Sequence, residues 1–206
     1  THELRTPLTL ILGPLEDMQK ETSLPAKQAQ KLSVIHQSAL RLLNLINQIL
    51  EFRKTETQNK KLCVSKGNIA PLIYEIGLKY KELNQKTKID FQIQIEKEEM
   101  LLFFDKEIIT IVLDNLISNA IKYTEQGRVT LSLYQTMRNE VAYTEIKVSD
   151  TGYGISAEAL PHIFDRYYQE SGKHQASGTG IGLALVKNLV TLHEGEIRAE
   201  SIQNEG

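Results

Sequence analysis

One cysteine, Cys63, is all the thiol this 206-residue chain carries, so an internal disulfide framework is excluded and the redox compartment stays open. Cys63 lies in Leu62-Cys63-Val64, an apolar, strand-like stretch that predicts a buried thiol. No run of about 18 apolar residues occurs, and nothing reads as a membrane-spanning helix. Basic charge is not in excess: 24 Lys and Arg face 26 Asp and Glu, a formal net charge of −2 that gives no support for nucleic-acid binding. No two histidines have convincing metal-ligand spacing. His36, His162, His174 and His193 read as ordinary surface or helix-end residues, and no zinc site is expected. Internal repeats and low-complexity tracts are also missing.

What remains is a composition that folds, with 41% hydrophobic and 24% charged residues, and a length that allows one large domain or two small ones. Thr1-His2 starts inside what reads as a helix, and Asn204-Glu205-Gly206 reads as a turn leading toward another strand. The sequence is therefore expected to be part of a longer chain.

Two periodicities divide it. Leu4, Leu8, Ile11, Leu15 and Met18 are spaced as a heptad seam, and so are Leu32, Ile35, Ala39, Leu42, Ile46 and Ile49. The polar stretch from Lys20 to Pro25 separates them, which predicts two long antiparallel helices. Leu12, Val34, Leu43, Leu45 and Leu50 widen the stripes beyond what one partner helix covers. Either a second copy completes a four-helix bundle or the rest of the chain docks on the hairpin. The sustained heptads favour the homodimer.

Thr55 to Lys61 is polar, which sets a helical hairpin at 1–56, a linker at 57–61 and a second domain at 62–206. In that domain Lys88–Glu96 alternates as a half-buried strand, and Asp105 is placed to cap a helix running to Tyr123. Strands are expected at Arg128–Tyr134, Val141–Ser149 and Glu196–Ser201, with a helix from about Thr179 to Leu192. The order predicts an α+β sandwich, an antiparallel sheet with helices on one face.

Three stretches resist a packing explanation. In the helix ending at Tyr123, Leu113, Leu116, Ile117, Ala120 and Ile121 form an apolar face. Asn115, Asn119 and Lys122 line the other. An amide oxygen suits Mg²⁺ and a lysine suits phosphate, although helices often carry solvated polar faces. Asp150-Thr151-Gly152-Tyr153-Gly154-Ile155 follows a strand. Its carboxylate can accept a hydrogen bond from an exocyclic amine, though alone it reads as an ordinary glycine turn. Gly178-Thr179-Gly180-Ile181-Gly182-Leu183 opens the last helix, where exposed N–H groups favour anions. Glu200 stands near the spacing of a dinucleotide fold, but the polar Ser171–Ser177 precedes these glycines where that fold needs a strand. That loop reads instead as a lid over a phosphate site.

In this order the stretches resemble the ATP-binding fold shared by histidine kinases, the Hsp90 chaperone, type II topoisomerases and mismatch-repair ATPases, over roughly Leu62 to Gly206. The resemblance implies ATP with Mg²⁺ on Asn119, and Asn115 and Lys122 near the phosphates. It also implies Asp150 on the adenine amine, with Tyr123 beside the nucleotide and Gly152, Gly154, Ile155, Gly178, Thr179, Gly180, Ile181, Gly182 and Leu183 around it. Ile163-Phe164-Asp165-Arg166-Tyr167-Tyr168 resembles the aromatic box of histidine kinases, with Gln169 where many members carry Arg.

Thr1-His2-Glu3-Leu4-Arg5-Thr6-Pro7-Leu8 resembles the histidine-kinase phosphoacceptor box. At about 100° per residue His2 points away from the Leu4 seam, toward solvent. An exposed imidazole is a competent nucleophile near neutral pH. Glu3 can take the proton from its other nitrogen, and Thr6 could orient a water for the reverse chemistry. Pro7 removes a backbone donor, so the helix should bend beside His2.

The resemblance implies an ATP-dependent autokinase that phosphorylates His2 and passes the group to an Asp of a response-regulator receiver domain, with phosphatase activity toward that partner. It also implies the cytoplasmic portion of a membrane-anchored bacterial sensor. Leu10-Ile11-Leu12-Gly13-Pro14-Leu15-Glu16 is similar to the first helix of hybrid sensors of Bacteroides type. The alternatives are a non-catalytic ATP-binding scaffold and an ATPase of the chaperone or DNA-repair type.

Overall fold

A computed structural model describes residues 2–20, 25–57, 60–84, 88–138, 140–169 and 179–206, and side chains outside 2–6, 19, 20 and 26. The chain divides into two compact units, Thr1–Lys60 and Lys61–Gly206.

The first unit is a hairpin of α1 (His2–Lys20) and α2 (Ala26–Glu56). Pro7 and Pro14 both lie within α1. Pro25 presets the entry to α2, and its carbonyl accepts the Gln28 and Ala29 N–H groups at 2.8 and 3.0 Å. Arg53 and Lys54 stand in the last turn, where positive charge complements the helix dipole. Polar Thr55 and Glu56 continue the helix. Leu8, Leu12, Leu32, Ala39 and Phe52 are buried, whereas Ile11, Met18, Ile35, Leu42 and Ile49 of the expected seams are exposed. One helix covers only part of each stripe. No helix among the described residues is long and apolar enough to cross a membrane.

The second unit contains β1 (Ser65–Asn68), α3 (Ile69–Leu83), β2 (Ile89–Ile95), β3 (Leu101–Phe104), α4 (Lys106–Tyr123), β4 (Gly127–Arg138) and β5 (Val141–Asp150). A 3₁₀ turn at Leu160–His162 and α5 (Gly182–Leu192) follow. The α+β architecture is the expected one, but the sheet is mixed rather than antiparallel. Its order is β2-β4-β5, with β2 parallel to β4 from Ile89↔Gly127 to Ile95↔Leu133 and β5 antiparallel to β4. The connection from β2 to β4 passes through α4, and a helical crossover returns the chain in the same direction.

Val129, Leu131 and Leu133 of β4 point to one face and are fully buried with Ile73 and Ile76 of α3 and Leu113 and Ile117 of α4. Thr130 and Ser132 point to the other face. Period-2 alternation therefore places both helices on one side.

Helix α3 and the β1–β3 ribbon were not legible in the sequence. Pro71 and Gly77 look like breakers there. Pro71 falls in the first turn of α3, where no donor is needed. Gly77 is buried where β2 approaches, and a Cβ would stand 2.8 Å from the Ile93 side chain. Asn68 caps α3, its Oδ1 accepting the Ala70 and Met100 N–H groups at 3.2 and 2.9 Å.

Three further expectations are corrected. Cys63 is exposed, because the ladder begins only at Ser65 and nothing among the described residues covers the thiol. Glu196–Ser201 is not a strand, since no described strand hydrogen-bonds with it in a ladder. Helix α5 starts at Gly182 rather than Thr179, because Gly180 sits at φ 68°, outside helical space.

Candidate functional site

Asp105 starts the helix that carries most of the candidate residues. Its carboxylate accepts the Ile108 N–H at 3.1 Å, the cap expected from the sequence. Ten residues along, Asn115 is 7% exposed, so it does not share a solvated face with Lys122. Its Nδ2 donates to the Ile111 carbonyl at 2.8 Å, and a Cβ on Gly182 would stand 3.0 Å from its Oδ1. Asn115 thus lies against the start of α5, where a side chain on Gly182 would crowd its amide. Asn119 is half-buried, and its side chain makes no hydrogen bond among the described residues. Its amide oxygen is a hard donor left open to a cation. Lys122 is exposed, 4.6 Å from the Tyr123 ring centroid, and its Nζ donates to the Tyr123 hydroxyl at 3.1 Å. A cationic, aromatic edge results at the end of α4.

The end of β5 adjoins this edge. Asp150 Oδ1 accepts the Gly152 N–H at 2.9 Å and the Thr124 hydroxyl at 3.5 Å. Its Oδ2 has no partner among the described residues and is the atom available to a ligand amine. Gly152 is required by proximity, since a Cβ would stand 2.3 Å from the Tyr123 carbonyl oxygen. Gly154 is required by conformation, with φ 64° and a Cβ position 2.2 Å from the Ile202 carbonyl oxygen. The Ile155 N–H is taken by Ser201 Oγ at 2.8 Å. Tyr153 donates its hydroxyl to Glu125 at 2.9 Å, and that hydrogen bond holds the phenol above its ordinary range.

Gly180 is held from the other side. Its carbonyl accepts the Tyr167 N–H at 2.9 Å, and a Cβ on it would meet the Tyr167 backbone at 2.5 Å. Ile181 is buried, Thr179 and Leu183 are half-buried, and the first turn of α5 has no side-chain cap. Ile181 can therefore offer a ligand its backbone only. Gly178, the expected lid at Ser171–Ser177 and the side chains of His2, Glu3 and Thr6 lie outside the described residues.

The fold thus gathers a free carboxylate oxygen, an open amide, a lysine and uncapped helix N–H groups from α4, β5 and α5. That set can recognise an amine at one end and hold an anion and a hard cation at the other. Sequence reasoning missed Thr124, which is 3% exposed and orients Asp150. Its only signal was a hydroxyl just past the helix end. No group of three or more His, Cys, Asp or Glu residues among the described ones is arranged to hold a metal.

Residues 104–206 match the family described as histidine kinase-, DNA gyrase B- and HSP90-like ATPase, and residues 1–58 match the His Kinase A (phospho-acceptor) domain. Histidine kinase P4 of Formosa agariphila is 37% identical over 96% of this chain and 15% of its own length. Hybrid signal transduction histidine kinase D of Dictyostelium discoideum is 33% identical over all of this chain and 14% of its own. Autoinducer 2 sensor kinase/phosphatase LuxQ of Vibrio vulnificus is 33% identical over 98% and 24%. The chain thus spans about a quarter or less of these relatives. Among solved structures, full-length ShkA in complex with AMPPNP matches with a TM-score of 0.77 at 26% identity, over 98% of this chain and 42% of that one.

Proposed function

Because the chain belongs to the histidine kinases and carries their phospho-acceptor and ATPase-type domains together, we propose that it binds ATP in the second unit and phosphorylates its own His2. The observation that carries this reading is Asp150. A strand-end carboxylate has one oxygen locked by Gly152 and Thr124 and the other free to accept the adenine amine. Lys122 and the uncapped start of α5 offer positive potential to the phosphates. Asn119, with its amide unpartnered among the described residues, fits Mg²⁺, which when bound supplies charge neutralisation on the phosphate oxygens.

His2 contributes the nucleophile. A ring nitrogen attacks the γ-phosphorus in line, the N–P bond forms as the bond to the bridging oxygen breaks, and ADP leaves. Glu3 takes the proton from the other ring nitrogen. The phosphoryl group then passes to an aspartate of a receiver domain. The hybrid relative supports such a partner, and the exposed Leu10, Ile11, Val34 and Ile35 of the hairpin support a homodimer. The kinase/phosphatase name of one relative supports a reverse, water-attack activity at the same helix, with Thr6 placing the water. The resemblance to sensor kinases, in whose names the word sensor recurs, leads us to place the chain in the cytoplasmic portion of a membrane-anchored parent.

Incubation with γ-labelled ATP and Mg²⁺ is expected to give an acid-labile label on the chain that His2→Gln abolishes. Free phosphate without labelled protein would point to the ATPase reading. Nucleotide binding with neither product would point to the scaffold.

A further inference from the structure

The end of α4 remote from Asn119 carries a group that the proposed chemistry does not use. The backbone N–H of Asp105 donates to Nε2 of His193 at 3.0 Å. His193 is the C-cap of α5, its own N–H bonded to the Leu189 carbonyl at 3.0 Å. Asp105 is 3% exposed, and its carboxylate accepts from the N–H groups of Ile108 and Cys63, at 3.1 and 2.8 Å. A helix N-cap has no intrahelical acceptor for its own N–H, and a buried donor left unmade is costly. His193 supplies the acceptor across the interface. At the other end of the same pair Asn115 lies against Gly182. Helices α4 and α5 therefore run antiparallel and are tied at two points about 15 Å apart along their axes.

We infer that His193 is a positioning residue of the nucleotide site: its Nε2 acceptor holds the start of α4 to the end of α5, and so sets the register in which Asn119 and Gly182 address one ligand. This rests on the nucleotide reading of that site. The tie requires a neutral imidazole. A proton on Nε2 would turn the acceptor into a donor facing another donor. The ionisable groups on the elements that meet here are Asp105 capping α4, Lys106 and Glu107 in its first turn, Cys63 ahead of β1, Lys187 on α5 and Glu194 beyond it. Both oxygens of Asp105 already accept N–H groups, so a protonated His193 finds no simple replacement bond.

The test measures binding of AMPPNP with Mg²⁺ to the 206-residue chain by calorimetry at pH 8, with helix content followed for each variant. His193→Ala removes the acceptor, whereas His193→Gln keeps a carbonyl acceptor. His193→Ala is expected to bind about three- to tenfold more weakly, the effect of one lost hydrogen bond, and His193→Gln to bind within about twofold of the parent. Parent-like binding by a folded His193→Ala overturns the inference, as does a folded His193→Gln that binds as weakly as His193→Ala. If His193→Ala fails to fold, His193→Leu, which fills the space without an acceptor, is held to the same outcomes. Absence of binding by the parent would instead sink the nucleotide reading beneath it.

Discussion

Two glycines show how differently one residue type is used. Gly154 sits at φ 64° with the Ile202 carbonyl oxygen 2.2 Å from where a Cβ would be, so neither conformation nor space admits a side chain. Gly154→Ala is expected to destabilise the second unit by about 1–3 kcal/mol and to weaken nucleotide binding with it, read by urea unfolding and calorimetry. Gly13 lies inside α1 with nothing within 4 Å of the place a Cβ would take. Gly13→Ala should therefore meet no clash outside its own chain neighbours, and because the Pro14 ring offsets the gain in helix propensity it should move the melting temperature of the helical signal by the equivalent of less than about 1 kcal/mol. A sequence shows both as glycine, and only their surroundings separate them. Asp150 was legible as a strand-end carboxylate beside glycines. The partner Thr124, which shares the oxygen already bonded by the Gly152 N–H, was not.

At the scale of elements, the long periodic helices were readable and the short or interrupted ones were not. Helix α3 carries Ile69, Ile73, Ile76 and Gly77 on its buried face, but Gly77 argues against a helix until β2 is seen beside it. Gly77→Val should push the Ile93 side chain aside and cost about 1–3 kcal/mol, with a lowered urea midpoint as the measurement. The end of α2 makes a different prediction. Burial raises the Glu51 carboxyl, but hydrogen bonds and charge from Lys54 and Lys60 outweigh it and hold the group below its usual range. The ion pairs are 2.5 and 3.1 Å long. A depressed carboxylate contributes stability that is fully present above its unfolded value, about pH 4.3, and is lost as the pH falls through the folded value. The hairpin's melting temperature should drop on acidification below about pH 4.3, and Glu51→Gln should flatten part of that drop.

For the whole molecule, the hairpin leaves much of its expected seam in water. Ile35 is 52% and Ile11 49% exposed, although both helices read as coiled-coil partners. Sedimentation is expected to give a dimer, and Ile35→Asp to shift it toward monomer with little loss of helix. A parent that sediments as a monomer at tens of micromolar would remove the reason for those exposed residues.

The sequence by itself determined the two-part organisation, the heptad helices, the order of the three nucleotide-type stretches and the phosphoacceptor box. Each of these is a local pattern, carried by periodicity or by neighbouring residues. Tertiary structure decided the direction of β2 against β4, the exposure of Cys63 and the burial of Asn115. It also decided the tie between Asp105 and His193, residues 88 positions apart. Those outcomes depend on which distant segment arrives beside a residue, and no spacing along the chain encodes that.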